Sequence, residues 1–171
     1  GIIVVFDVGV NLFSTQFDLD RQDVIDRAKA AGVEGMLLIS SDIAESRQNQ
    51  LECSRQTNFF CTAGVHPHYA ASVTADDMQQ LKSLLLHGCV VAVGECGLDF
   101  NRDFSPRQTQ IKVFEQQLDL AKSTDKAVYL HERDAFPTQL ALLKDHQIQH
   151  GVAHCFTGDK LQMQAYLDLG L

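Results

Sequence analysis

Short apolar runs alternate with longer stretches of helical periodicity along the whole chain. Apolar, often β-branched residues dominate 2–6, 35–39, 59–64, 90–93, 126–130 and 151–153, each the length of a strand buried on both faces. Between them, 20–31, 43–56, 74–87, 105–123 and 135–146 read as helices with one buried face. Local chemistry marks several ends. Asp20 and Gly32 bracket the first helix, Thr74 with Asp77 resembles a capping box, and Pro106 suits a first helical turn. A last helix is expected over 158–169.

This is β–α alternation six times over, with no linker or break in composition, so residues 1–171 are expected to form one α/β domain around a parallel sheet. Both a doubly wound open sheet and a β/α barrel satisfy that pattern. The first strand is not followed by G-x-G-x-x-G, which weakens the dinucleotide-binding version of the open sheet.

Polar residues at the ends of the apolar runs carry the chemical signal. Asp7, His66, Glu95, His131 and His154 each sit at or just past the C-terminal end of a different strand. In a closed parallel barrel those ends converge on one mouth. Glu95 follows Val90–Val93 and Gly94, where the chain is expected to turn. A charge there needs compensation, by a cation, a helix cap or an arginine. One strand-end histidine is most often structural, but a carboxylate and two imidazoles ending three consecutive strands point to a metal. Glu95, His131 and His154 supply one oxygen and two nitrogen donors, leaving positions open for water and substrate. By donor softness alone, zinc or manganese precedes magnesium.

Charge and cysteine content narrow the setting. The formal net charge of −8 argues against a broad basic nucleic-acid surface, but not against a nuclease whose bound metal supplies local positive charge. Five cysteines without a C-x-x-C pair suggest reduced thiols in a cytoplasmic protein. No apolar run approaches a membrane span, and residues 2–6 lack the length and basic flank of a signal peptide.

Five segments then occur in a recognisable order: Phe6-Asp7-Val8-Gly9-Val10-Asn11-Leu12, Ala63-Gly64-Val65-His66-Pro67-His68, Gly94-Glu95-Cys96-Gly97-Leu98-Asp99-Phe100, Leu130-His131-Glu132-Arg133-Asp134-Ala135 and Ala153-His154-Cys155-Phe156-Thr157-Gly158. Together they resemble the TatD family of metal-dependent deoxyribonucleases, within the amidohydrolase-like β/α barrels, and are most similar to its bacterial branch. The resemblance implies a TIM-type barrel. It also implies a magnesium-dependent 3′-to-5′ exonuclease that prefers single strands of DNA, and a role in DNA repair; DNA and RNA both stay open as the single-stranded substrate. Carried over by position, Glu95, His131 and His154 match the metal ligands, and His66 matches a position on the substrate side. His66 is expected to donate to a phosphate oxygen or to the leaving group. His68 belongs either to a solvent-facing turn or to the substrate side. Arg133 faces the phosphate or pairs with Asp134 or Glu132. Asp99, like Asp7, is expected to orient a ligand from behind.

Two departures qualify the resemblance. Many relatives carry Asp-x-His-x-His after the first strand, where this chain reads Asp7-Val8-Gly9-Val10-Asn11. Losing both histidines leaves a harder, more weakly held site and moves the preferred ion from zinc or manganese to magnesium. The second departure is strand number. A β/α barrel needs eight strands and six are legible, so an incomplete barrel is expected, lacking the last-strand carboxylate that resembles a general base in the family. A full-length form is expected to be a monomer, whereas a truncated one would need an assembly to cover its edges. Two other readings stay open: a hydrolase of a small amide, lactone or phosphoester, and an inactive truncated binding module.

Overall fold

Six strands lie side by side in one sheet, every neighbouring pair parallel, in the order in which they occur along the chain. The computed structural model describes residues 5–10, 26, 30 and 33–153, with strand residues 5–10, 33, 34, 152 and 153 described through their backbone. The strands are β1 (Val5–Val10), β2 (Val33–Leu38), β3 (Phe59–Ala63), β4 (Val90–Asp99), β5 (Ala127–Arg133) and β6 (Gly151–Ala153). The described helices are α1 (Ile43–Arg55), α2 (Ala75–Leu84), α3 (Arg107–Thr124) and α4 (Phe136–Asp145), and a 3₁₀ turn spans Pro67–Ser72. Unbroken sequential order means that every crossover advances in the same direction. A doubly wound sheet must reverse once, so the order selects the barrel-type arc. Asp26 and Ala30 have helical backbone; the rest of the expected 20–31 helix, the 158–169 helix and His154 lie outside the described residues.

Local chemistry accounts for the helix starts. The Asp42 Oδ1 atom accepts the Glu45 N–H at 2.8 Å and caps α1. Ahead of α2, Thr74 Oγ1 accepts from the Asp77 N–H at 3.1 Å while Asp77 Oδ2 accepts from the Thr74 N–H at 2.9 Å, a reciprocal capping box. At the end of α3, Asp125 takes a left-handed φ of 54° and closes the last turn.

Two apolar layers flank the sheet. Val90, Val93, Cys96, Leu98, Val128 and Leu130 pack with the helices in the main core, whereas Ile39, Ala92 and Tyr129 form a smaller cluster on the inner side of the arc. Along β4 the outer positions run Val93, Cys96, Leu98, so one residue has been inserted between Val93 and Cys96. The register shows where: Gly94 pairs with Tyr129 and Cys96 with Leu130, so the ladder shifts by one residue at Glu95, a bulge. Contrary to the expected turn at Gly94, the strand therefore continues to Asp99, and the bulge re-aims the carboxylate. Gly94 and Gly97 make this possible. They adopt φ of 155° and 141°, and a Cβ on either would collide with the carbonyl of Tyr129 or of His131.

Other boundaries shift modestly. The first strand runs on to Val10 instead of ending with the 2–6 run, placing Asp7 inside β1 opposite Met36. The fifth runs through His131 and Glu132 to Arg133 instead of ending at 130. The 3₁₀ turn after His66 has no apolar period and is not legible as an element in the sequence.

Candidate active site

His66, just past β3, Glu95, at the bulge within β4, and His131, within the C-terminal half of β5, converge. His131 Nδ1 lies 3.3 Å from Glu95 Oε1, and His66 Nε2 lies 3.7 Å from the same oxygen. The two imidazole rings stand 4.4 Å apart, centroid to centroid.

The backbone around these side chains is pinned by buried amides. On α3, Gln117 accepts from the Val65 N–H at 2.9 Å and donates to the Val65 carbonyl at 3.1 Å, just before His66. One face along the same helix, Gln110 accepts from the Asp99 N–H at 2.9 Å and donates to the carbonyls of Asp99 at 3.0 Å and Ser105 at 2.8 Å. Gln139 of α4 accepts from the Leu98 N–H at 2.9 Å. All three are essentially buried, so each satisfies strand-end groups that water cannot reach. The β2 end is tied in similarly. The Glu95 N–H donates to the Ser40 carbonyl at 2.7 Å, and the His66 N–H donates to the Ser41 carbonyl at 2.8 Å.

Asp99 orients two histidines at once. Its Oδ2 lies 3.0 Å from Nε2 of His131 and 3.0 Å from Nε2 of His68, while Oδ1 accepts from the Asn101 N–H at 3.0 Å. Burial pushes the Asp99 carboxyl up, but hydrogen bonds from His131, the Asn101 backbone and His68 outweigh it and hold the group below its ordinary value. His131 moves the other way: burial lowers it, and its bonds to Glu95 and Asp99 more than compensate. With Nε2–H committed to Asp99, a neutral His131 offers the Nδ1 lone pair beside Glu95.

That pair fits a divalent ion. Two donors about 2.1 Å from one ion stand about 3.0 Å apart at a right angle and about 3.4 Å apart at the tetrahedral angle. The observed 3.3 Å falls inside that range. His66 plays a different part. Its Nδ1 accepts the His68 N–H at 3.1 Å, which leaves the proton of the neutral ring on Nε2, facing the site as a donor. Burial, then the neighbouring His131, lowers its pKa to about 4, so the ring is neutral at pH 7.

The remaining expected residues are placed as follows. His68, one reading of which was a solvent-facing turn, turns its ring inward onto Asp99. Arg133 is exposed at the end of β5 and pairs with neither proposed carboxylate. Asp134 Oδ2 instead accepts from Asn101 Nδ2 at 2.8 Å, and Glu132 Oε2 accepts from the Ala135 N–H at 3.1 Å. Asp7 is described only through its backbone, and His154 lies outside the described residues. The sequence reading missed Glu45, whose Oε1 accepts from the Ser41 N–H at 2.8 Å. Burial raises its pKa, with Asp42 and Glu95 adding to the effect. It also missed the three glutamines. Their only sequence signal is an uncharged polar residue on the apolar face of a helix.

Residues 6–171 match the family described as TatD related DNase. A Klebsiella pneumoniae protein named 3′-5′ ssDNA/RNA exonuclease TatD is 48% identical over 168 residues, covering 97% of this chain and 64% of its own length. A protein of the same name from Pectobacterium parmentieri is 44% identical over 169 residues, covering 97% of this chain and 65% of its own length. The chain thus spans about two thirds of the length of these relatives. Among solved structures, the TatD homologue YJJV of Escherichia coli K12 superposes with a TM-score of 0.88 at 28% identity, over 97% of this chain and 65% of that one. A TatD family hydrolase from Entamoeba histolytica gives 0.83 at 25% identity, over 98% of this chain and 63% of that one. Six sequential parallel strands, a carboxylate bulged from the fourth and matching relatives along nearly the whole chain agree: this chain belongs to the TatD-related DNase family.

Proposed function

We propose that this site hydrolyses phosphodiester bonds of single-stranded DNA, and of RNA, from the 3′ end. The observation that carries the reading is the pairing of Glu95 Oε1 and His131 Nδ1 at a spacing suited to one divalent ion, beside a neutral imidazole aimed as a donor. Glu95, His131 and His154 would hold the metal; with Gly9 and Asn11 in place of the two first-strand histidines of many relatives, magnesium is favoured, and manganese or zinc could replace it. When bound, the ion supplies positive charge for the phosphate and a more acidic water.

The chain's own residues do the rest. Neutral His66 donates its Nε2–H to a phosphate oxygen or to the departing oxygen. Asp99 holds His131 in the tautomer that exposes Nδ1, and the same carboxylate anchors His68 on the substrate side. Asp7 supports the site from the first strand. Arg133, exposed at the end of β5, reaches toward the phosphate. We place all of this in one β/α domain acting in the cytoplasm and serving DNA repair.

A single strand labelled at its 5′ end is the direct substrate for a test. Magnesium should produce a ladder shortening from the 3′ end, and both chelator and Glu95→Ala should abolish it. Undiminished shortening by Glu95→Ala would remove the assignment.

A further inference from the structure

Two large aromatic rings stand in solvent beside the site histidines. Phe104, in the connection after β4, is 60% exposed, and Tyr69, in the 3₁₀ turn, is 49% exposed. The Phe104 ring meets His68 edge-on at 4.8 Å, and Tyr69 lies 6.3 Å from the ring of His66. His68 in turn shares Asp99 with His131, so Phe104 sits one ring away from the candidate metal ligands. Phe104 belongs to neither apolar cluster, so its ring is not held there by the core.

Phe104 is nonetheless fixed in place. The adjacent Ser105 is fully buried, accepts from the Ala71 N–H at 2.9 Å and donates to the His68 carbonyl at 3.1 Å. Gln110 holds the Ser105 carbonyl from the other side. Tyr69 is fixed by its N–H, which donates to the His66 carbonyl at 2.9 Å. Arg102 places its guanidinium carbon 5.9 Å from the Phe104 centroid, a cation beside the exposed ring.

We propose that Phe104 and Tyr69 are nucleobase-stacking positions, with Phe104, flanked by Arg102, receiving a base next to the scissile phosphate. The ligand class is an unpaired nucleotide. A base within a duplex is already stacked on both faces, whereas a single-strand end offers an open π-face, and every base has one. The same two rings therefore provide strand selectivity without sequence selectivity. Arg102 lies where it can neutralise a flanking phosphate. This inference rests on the nuclease reading of the site.

The test measures equilibrium binding of a fluorescent, phosphorothioate-linked single strand to the chain with Glu95 intact and magnesium present, with and without base-free (tetrahydrofuran) residues at its two 3′-terminal positions. One stacked base corresponds to about a 5- to 150-fold difference in affinity. The intact strand should bind tighter by that factor. Phe104→Leu should remove most of the preference by weakening only the intact strand, and Phe104→Trp should keep it. Because the Phe104 side chain is exposed, neither substitution disturbs the core. Tight binding with the same base preference in Phe104→Leu would overturn the stacking proposal alone. Failure of the unsubstituted Phe104 protein to bind either strand would overturn the nuclease reading, and the stacking proposal with it.

Discussion

Replacing Gln110 with leucine isolates the device that holds the Asp99 end of β4. The side chain is 1% exposed and makes three hydrogen bonds: one from the Asp99 N–H and two to the carbonyls of Asp99 and Ser105. Leucine has nearly the same volume, so the loss is of bonding, not packing. Three buried hydrogen bonds at about 1 kcal/mol each give about 3 kcal/mol. Stranding the Asp99 N–H adds about 1–2 kcal/mol, and the greater apolar burial of leucine offsets a similar amount. The net expectation is about 3 kcal/mol of destabilisation, a large part of the stability of a domain this size. Urea unfolding followed by far-UV circular dichroism reads it as a midpoint lowered by about 1–2 M. Gln108→Leu, on the exposed face of the same helix, should stay within about 0.5 kcal/mol of the parent. A Gln110→Leu midpoint equal to that of Gln108→Leu would refute the claim that buried amides of the helices fix the strand ends.

Other outcomes follow from the same geometry. Gly97→Ala puts a Cβ into the His131 carbonyl and within 3.0 Å of Gln139 Oε1, with φ at 141°. It should cost more than about 2 kcal/mol in urea unfolding and separate β4 from β5 where Glu95 and His131 meet. Gly88→Ala, which meets nothing within 4 Å, is the control expected to be near neutral. At alkaline pH, Cys61 is expected to cost stability. Its contact with Cys53, and then burial, push the thiol far above its ordinary value of 9.0. Above pH 9 the unfolded chain ionises this thiol while the folded chain keeps it protonated, so stability falls as pH rises, by up to about 1.4 kcal/mol per pH unit. Urea midpoints between pH 8 and pH 10.5 should show a shallower fall in Cys61→Ala, and parallel curves would contradict the burial argument.

Most of the architecture is legible in the sequence because periodicity and burial are local signals. The alternation of apolar runs with amphipathic segments places the described α-helices and most strands within a few residues, the exception being β4, which runs on past Gly94 to Asp99, and the Thr74–Asp77 box is read correctly from two residues. What it leaves open is whether the sheet is open or an arc, because strand order is a tertiary property that no single run encodes. Glu95 stands out as a charge ending a buried strand, and His66 and His131 stand out in the same way. The bulge does not, since an inserted residue within an apolar run shows only through pairing with β5. The roles of the two Asp99-linked histidines depend on tautomers set by neighbours far apart in sequence, 31 and 32 residues away. Gln110, Gln117 and Gln139 were missed for a related reason: a polar residue on a buried helix face looks like a flaw in the pattern until its backbone partners are known. Phe104 reads as one aromatic among ten phenylalanines, and only exposure distinguishes it.

The central claim is that Glu95 and His131 form one divalent-metal site. Manganese(II) titration followed by electron paramagnetic resonance measures it directly, because the free ion's signal falls as the ion binds. The account predicts saturable binding by the unsubstituted chain, competed by magnesium. Glu95→Ala and His131→Ala should each lose it, while His66→Gln should retain it because His66 faces the site as a donor. Equal manganese binding by the Glu95→Ala or His131→Ala protein would contradict the account.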